Sequence, residues 1–263
     1  MAFSLFPAWE SYICKISGTT KEENSIKAFY AKKEKENRMN KGDFLWIGLI
    51  AAAVLFIVSP LTNPMFLSMT SSHPYMMAFI KFAILATMGE LLAMRIMEGK
   101  WVKSVGMTYK LIAWGFFGML ITMSFQLFSN GTIALLAKGY LPGNGSTLAF
   151  AFFSATTMNL FFAPVFMAGH RCSDTYINLR VGGIIAKPTM EDIFEHGDWK
   201  GFATFVLFKT IPFLWIPAHT LTFLLPGEYR IVVAAFLSVV LGIVMALAKK
   251  SKKSNVNIVA AVK

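Results

Sequence analysis

The chain has 263 residues, 56% of them hydrophobic and 15% charged, with 25 Phe, 16 Met and a formal net charge of +11. Such a composition excludes an ordinary soluble domain. The positive charge is no nucleic-acid footprint, because the basic residues flank hydrophobic stretches and no zinc-finger spacing or aromatic-basic RNA motif accompanies them. The expected partner is a lipid bilayer with anionic headgroups.

Residues 1–41 read as a cytoplasmic or interfacial segment. Phe3, Phe6, Trp9, Tyr12, Ile13 and Ile16 form one apolar helical stripe, too short to span and weakened by Pro7. From Gly18 to Lys41, Lys is mixed with Glu, unlike an Arg-rich, acid-poor transit peptide, and no cleavable signal peptide is evident. Residues 42–250 read as an all-α, polytopic membrane helical bundle of six spans. Each span needs about 20 mostly apolar residues, because about 30 Å of hydrocarbon is crossed at about 1.5 Å per residue.

The first span runs from Phe44 to Leu61, and the breakers Pro60, Asn63, Pro64 and Pro74 follow it. The second runs from Tyr75 to Met97 and the third from Met107 to Ser129. A turn-rich loop, Lys138 to Ser146, leads to a fourth span from Thr147 to Gly169. Arg171 to Lys200 reads as the longest internal loop, with a short helix starting at Pro188-Thr189-Met190-Glu191. The fifth span runs from Gly201 to Leu225 and the sixth from Tyr229 to Ala248. Residues 251–263 read as a basic cytoplasmic tail.

The charges support six spans. Of the 25 Lys and Arg residues, 21 fall on one predicted side, two (Lys138 and Arg230) on the other, and two (Lys81 and Lys209) inside spans. An even span count puts both termini on the positive, cytoplasmic side. Cys14 and Cys172 share that side, where a disulfide is not expected.

Polar residues in hydrocarbon are costly and point to function or to helix clamping. Glu90 on span two and Lys209 on span five lie at matching depth, about 10–12 Å from the inner end at about 1.5 Å per residue, and are expected to pair. Lys81 and His219 lie nearer the outer surface, where either could line a cavity mouth; for Lys81 the favoured reading is snorkelling to the headgroups. Asn159, Thr156, Thr157, Thr122, Ser124 and Gln126 are expected to supply hydrogen bonds between helices. Pro164, Pro212 and Pro217 interrupt spans four and five and free backbone carbonyls. His170, Asp174, Glu191, Glu195 and His196 gather in sequence on the internal loop, with solvation as the default reading. No metal site, cofactor site or catalytic constellation stands out, so the chain does not read as an enzyme.

Several of these residues fall into a known order. His73-Pro74-Tyr75, fourteen residues from Tyr75 to Met88, then Gly89-Glu90, resemble the opening of the Mpv-seventeen/PMP-twenty-two family, with its His/Tyr-Pro-aromatic start and Gly-Asp pair. Phe162-Ala163-Pro164 is similar to that family's Phe-Ala-Pro element, with Met158-Asn159 in place of Asp-Gln. Trp215, His219 and Phe223 fall on the Trp, Gln and Phe of its next signature, and Leu225-Pro226-Gly227-Glu228-Tyr229-Arg230 is similar to the Val-Pro-x-x-Tyr-Arg that follows. The resemblance covers residues 73–250. It departs in span three, where the Gly-Pro-x-x-His-x-Trp-Tyr motif is reduced to Gly118-Met119 and Phe125. It departs again at Met94 and near Ser238, where the family has Gln and Asn.

By this resemblance Glu90, Asn159, Trp215 and His219 face the bundle interior. Some family members are described as weakly selective channels for small solutes. The resemblance therefore implies an integral membrane protein that passes small solutes or ions. The alternative is a non-conducting scaffold or stress-related protein whose intramembrane polar residues clamp helices. A homo-oligomer is compatible with either. The Lys-, Ile- and Phe-rich sequence favours a bacterial inner membrane, with an organelle membrane as the alternative.

Overall fold

The structure, a computed structural model, describes residues 39–261, with side chains described through Val244 and at Leu247. The expected amphipathic stripe from Phe3 to Ile16 lies outside the described residues. Contacts divide the chain after Leu49. Of the first unit the described residues are 39–49, which open helix α1 (Lys41–Val58). Asn40 and Asp43 cap that start reciprocally. The Asn40 Oδ1 accepts from the Gly42 N–H at 2.9 Å, and the Asp43 carboxylate accepts from the Asn40 N–H at 2.7 Å.

α1 ends before Ser59-Pro60, and its last carbonyls are taken by side chains from the following turn. The Thr62 hydroxyl donates to the Phe56 carbonyl, and the Asn63 amide donates to the Ile57 carbonyl, both at 2.6 Å. The proline-rich stretch that follows is itself helical: α2 (Asn63–Ser72) has Pro64 in its first turn. A proline there loses no hydrogen bond and sets the helical φ in advance, so a breaker becomes a starter. Phe66 and Thr70, one turn apart, are its buried face.

Pro74 opens α3 (Pro74–Glu98), which Gly99 closes with a left-handed φ of 71°. α4 (Met107–Ala137) follows, then α5 (Thr147–Phe161) and α6 (Ala163–Val181), α7 (Met190–His196) and α8 (Trp199–Gly201). A π-helical segment (Phe202–Trp215), α9 (Ile216–Phe223) and α10 (Gly227–Ala261) complete the order. No strand occurs among the described residues. Five stretches are long and apolar enough to cross a membrane: α1, α3, α4, Trp199–Phe223 and the first part of α10, Gly227–Val244. The α5–α6 pair, bent by 47°, is a sixth if read as one span. The chain is an all-α, multi-pass integral membrane protein.

Two expected boundaries move. The fourth span does not stop at Gly169, because helix continues through α6 to Val181, so the first third of the expected loop is helical. The bend falls at Phe162 because Pro164 has no N–H to continue the α5 ladder. Helix α10 likewise runs past Lys249 to Ala261, through most of the expected tail.

Lipid tails are as apolar as the side chains, so tight packing rather than burial from water holds such a bundle together. α3 is the central helix, packed against α4 on one side and α10 on the other, while α5 packs against α9. The α3–α10 contact depends on glycine. A Cβ on Gly89 would lie 2.9 Å from the Val239 Cα, and one on Gly242 would lie 3.0 Å from the Gly89 carbonyl oxygen. Against α4, a Cβ on Gly118 would meet the Ala78 carbonyl oxygen at 2.7 Å. Phe82, Phe125 and Phe223, with Ala78, Ala151, Ala155 and Ala235, fill the core between these helices.

Candidate intramembrane polar site

Most hydroxyls of the apolar helices turn back onto their own backbone. The hydroxyls of Thr122, Ser124 and Thr157 donate to the carbonyls of Gly118, Leu120 and Phe153, four residues earlier. They satisfy themselves within one helix instead of bridging two, as was expected of them. Gln126 is exposed.

Asn159 does cross. It is 0% exposed, and its amide nitrogen bonds the Ala155 carbonyl at 2.8 Å and the His219 Nδ1 at 2.9 Å. The same Nδ1 lies 3.3 Å from the Asn159 Oδ1, so the tautomer sets its role: a bare Nδ1 accepts from the amide nitrogen, and a protonated one donates to the amide oxygen. α5 supplies the amide and α9 the imidazole, so this bond ties the two helices together.

His219 is itself held between aromatic rings. The Trp215 ring, one turn earlier, stacks on it with centroids 5.1 Å apart, and the Phe125 ring of α4 meets it edge-on at 5.6 Å. Phe125 stacks in turn on Phe223 at 4.8 Å. Three of the resemblance-derived interior positions, Asn159, Trp215 and His219, thus form one cluster. Three polar groups on these helices have no partner among the described residues, the Thr156 hydroxyl of α5 among them, so it does not supply the expected hydrogen bond between helices. The Trp215 indole N–H is buried without an acceptor, and the Ser154 hydroxyl, on the same helix as Asn159, is buried without any partner.

Glu90 does not pair with Lys209. Its carboxylate takes the Lys110 ammonium of α4 at 2.8 Å. Lys110, 6% exposed, lies in the first turn of α4, the third expected span, and passes in sequence for a loop-edge charge. Its apolar stem lets the ammonium reach inward along the neighbouring antiparallel helix. Lys209 is exposed on the π-helical segment, between the exposed Phe208 and Phe213, and no carboxylate lies within 4.0 Å of it among the described residues. The wider winding of the segment and Pro212 within it change which side chains face inward, and Lys209 is among those left outside.

Lys81 neither lines a cavity mouth nor snorkels freely. It is 8% exposed, donates to the Thr70 Oγ1 at 2.8 Å and sits over the Phe66 ring at 4.4 Å. The loop grouping does not assemble: no three of His, Cys, Asp and Glu come together to hold a metal among the described residues. His170 lies on α6, with its ring 4.3 Å from that of Trp114 and its Nε2 4.0 Å from the Asp174 carboxylate. Outside the spans, Thr189 and Asp192 cap α7 reciprocally, and the backbone N–H and hydroxyl of Thr189 hold the Asp192 carboxyl below the usual carboxylate range.

Periodicity and charge placement were enough to find Asn159, His219 and Glu90. The partners Lys110, Thr70 and Phe66 were missed. Each sits where a helix end or a proline-rich turn looks like loop, and the only sequence signal for them was helical spacing from the turn. No family model, curated protein or solved structure matches this chain.

Proposed function

We propose that this integral membrane protein passes small solutes or ions, with weak selectivity, along the interface of α5 with the π-helical segment and α9. The observation that carries the reading is three buried groups without a partner among the described residues, the Ser154 and Thr156 hydroxyls on α5 with Asn159 and the Trp215 indole N–H at the end of the π-helical segment that leads into α9. An apolar bundle gains nothing from such groups, since each unsatisfied one costs about 1–3 kcal/mol. Water or a polar solute in the path satisfies them.

The resemblance to the Mpv-seventeen/PMP-twenty-two family supports the same function, and Glu90 with Lys110 then marks the cytoplasmic end of the path. Membership of that family is part of the proposal, as is a bacterial inner membrane with the Lys- and Arg-rich side facing the cytoplasm. The reading assigns no catalytic step.

A second reading, a non-conducting scaffold, is favoured by the internal partners of Glu90, Lys81 and Asn159. Solute flux through purified protein in liposomes separates the two. The conducting reading expects a leak above protein-free vesicles that falls several-fold in Asn159→Leu and in His219→Phe and is unchanged in Lys209→Met. Equal, negligible leak in the wild type and all three variants would establish the scaffold.

A further inference from the structure

Lys81 lies apart from the path just described. Its ammonium is enclosed by the core yet meets only a neutral hydroxyl and a ring face. No carboxylate lies within 4.0 Å of it among the described residues. The Thr70 hydroxyl accepts from Lys81 and donates to nothing described in the chain. Two ammonium N–H groups and one hydroxyl proton therefore have no acceptor among the described residues, in a site whose side chains are 8% exposed (Lys81), 9% (Thr70) and 2% (Phe66). Stacking against Tyr229 of α10, with centroids 6.0 Å apart, fixes the Phe66 ring that forms the floor.

We propose that Lys81 and Thr70 bind a phosphate group where α2 folds back against α3. The missing element is a negative charge offering several acceptor oxygens, and phosphate supplies both. Position narrows the class further. Lys81 is seven residues past Pro74, the first residue of α3. Helical side chains lean toward the helix N-terminus, so its ammonium sits closer to the membrane surface than its Cα. At that depth a lipid phosphodiester can reach it from the bilayer, and an inorganic phosphate can reach it from solution. The chemistry is shared, and experiment separates the sources.

The full chain, labelled with nitrogen-15 lysine, is placed in nanodiscs of phosphatidylglycerol without added phosphate, and in detergent with and without inorganic phosphate. Solid-state NMR then reads phosphorus–nitrogen proximity at the Lys81 Nζ. That resonance is assigned by its absence from Lys81→Arg, or from Lys81→Met should arginine not fit. Contact in the nanodiscs assigns the site to a lipid headgroup. Contact only when inorganic phosphate is added assigns it to the soluble ion. Thr70→Val, which removes one donor and keeps the lysine, should weaken the contact several-fold in whichever arm shows it. If Lys81 merely clamps α2 to α3, no phosphorus lies near its Nζ in any arm, and that result overturns the proposal.

Discussion

Asn159 is enclosed on every side, yet its amide is engaged twice, within α5 at the Ala155 carbonyl and on α9 at the His219 imidazole. Replacing it with Leu leaves the buried His219 Nδ1 without its amide partner, which should cost about 1–3 kcal/mol. The loss would show as a lower melting temperature in detergent. A double-mutant cycle with His219→Phe should return a coupling of about 0.6 kcal/mol, and no more than about 1.7, the range found for hydrogen bonds between membrane helices. The Glu90–Lys110 pair, half in reach of solvent, falls between the surface and buried limits, so Glu90→Gln should cost about 2 kcal/mol. Lys209→Met should stay within about 0.5 kcal/mol of the wild type, as expected of an exposed side chain without a special role. A large effect of Lys209→Met would restore the pairing that depth alone suggested, and no effect of Glu90→Gln would overturn the pair with Lys110. Counting residues along a span gives an expected depth only. It carried no information on azimuth, and in the π-helical segment the azimuth decides.

At the level of elements, the α3–α10 contact can be tested through its glycines. Gly89→Ala would drive a Cβ into the Val239 backbone, which cannot retreat as a flexible side chain could, so overpacking should destabilise by about 1–3 kcal/mol. Gly131→Ala, where nothing lies within 4 Å, should stabilise by about 0.5–1 kcal/mol through helix propensity alone. Opposite signs in chemical denaturation would confirm that close approach, not helix propensity, keeps Gly89. The α7 cap gives a pH test. The Asp192 carboxyl is held low in the fold, so the folded state binds fewer protons there than the unfolded chain. Its contribution is present above the ordinary carboxylate pKa and is lost as pH falls through the lowered value. Hydrogen-exchange protection across α7 should therefore persist down through the usual carboxylate range and fail only below it. In Asp192→Asn it should be weaker and independent of pH. Elements were legible where hydropathy and charge agreed, as in α3, and where the cap was written in the residues, as at Thr189. Helix α2 was not legible, because Pro64 reads as a breaker until the helix starts on it. The outer half of α6 was not legible either, because His170, Arg171 and Asp174 end the apolar window without ending the helix.

Over the whole molecule, the α5–α6 pair decides the topology. α5 has 15 residues, about 22 Å at about 1.5 Å per residue, which is short of the roughly 30 Å of hydrocarbon. It completes a crossing only by borrowing the first turns of α6, and residues 147–169 together reach about 34 Å at the same rise. His170 and Arg171 follow at once, as expected of a helix emerging at the surface, and Arg171 donates to the Asp198 carbonyl at 2.9 Å next to the start of the following span. A re-entrant pair would return Ser146 and Lys187 to one side, give five spans and separate the termini. It would also divide the 21 Lys and Arg residues between the two faces, against the tendency of basic residues to stay on one. The expected outcome follows for single cysteines at Ser146 and Lys187 in a chain with Cys14 and Cys172 replaced by Ser. A membrane-impermeant maleimide added to intact cells should label Ser146→Cys. It should label Lys187→Cys only after permeabilisation. Labelling of both from outside would make the 47° bend a re-entrant loop and remove the basis for placing both termini in the cytoplasm.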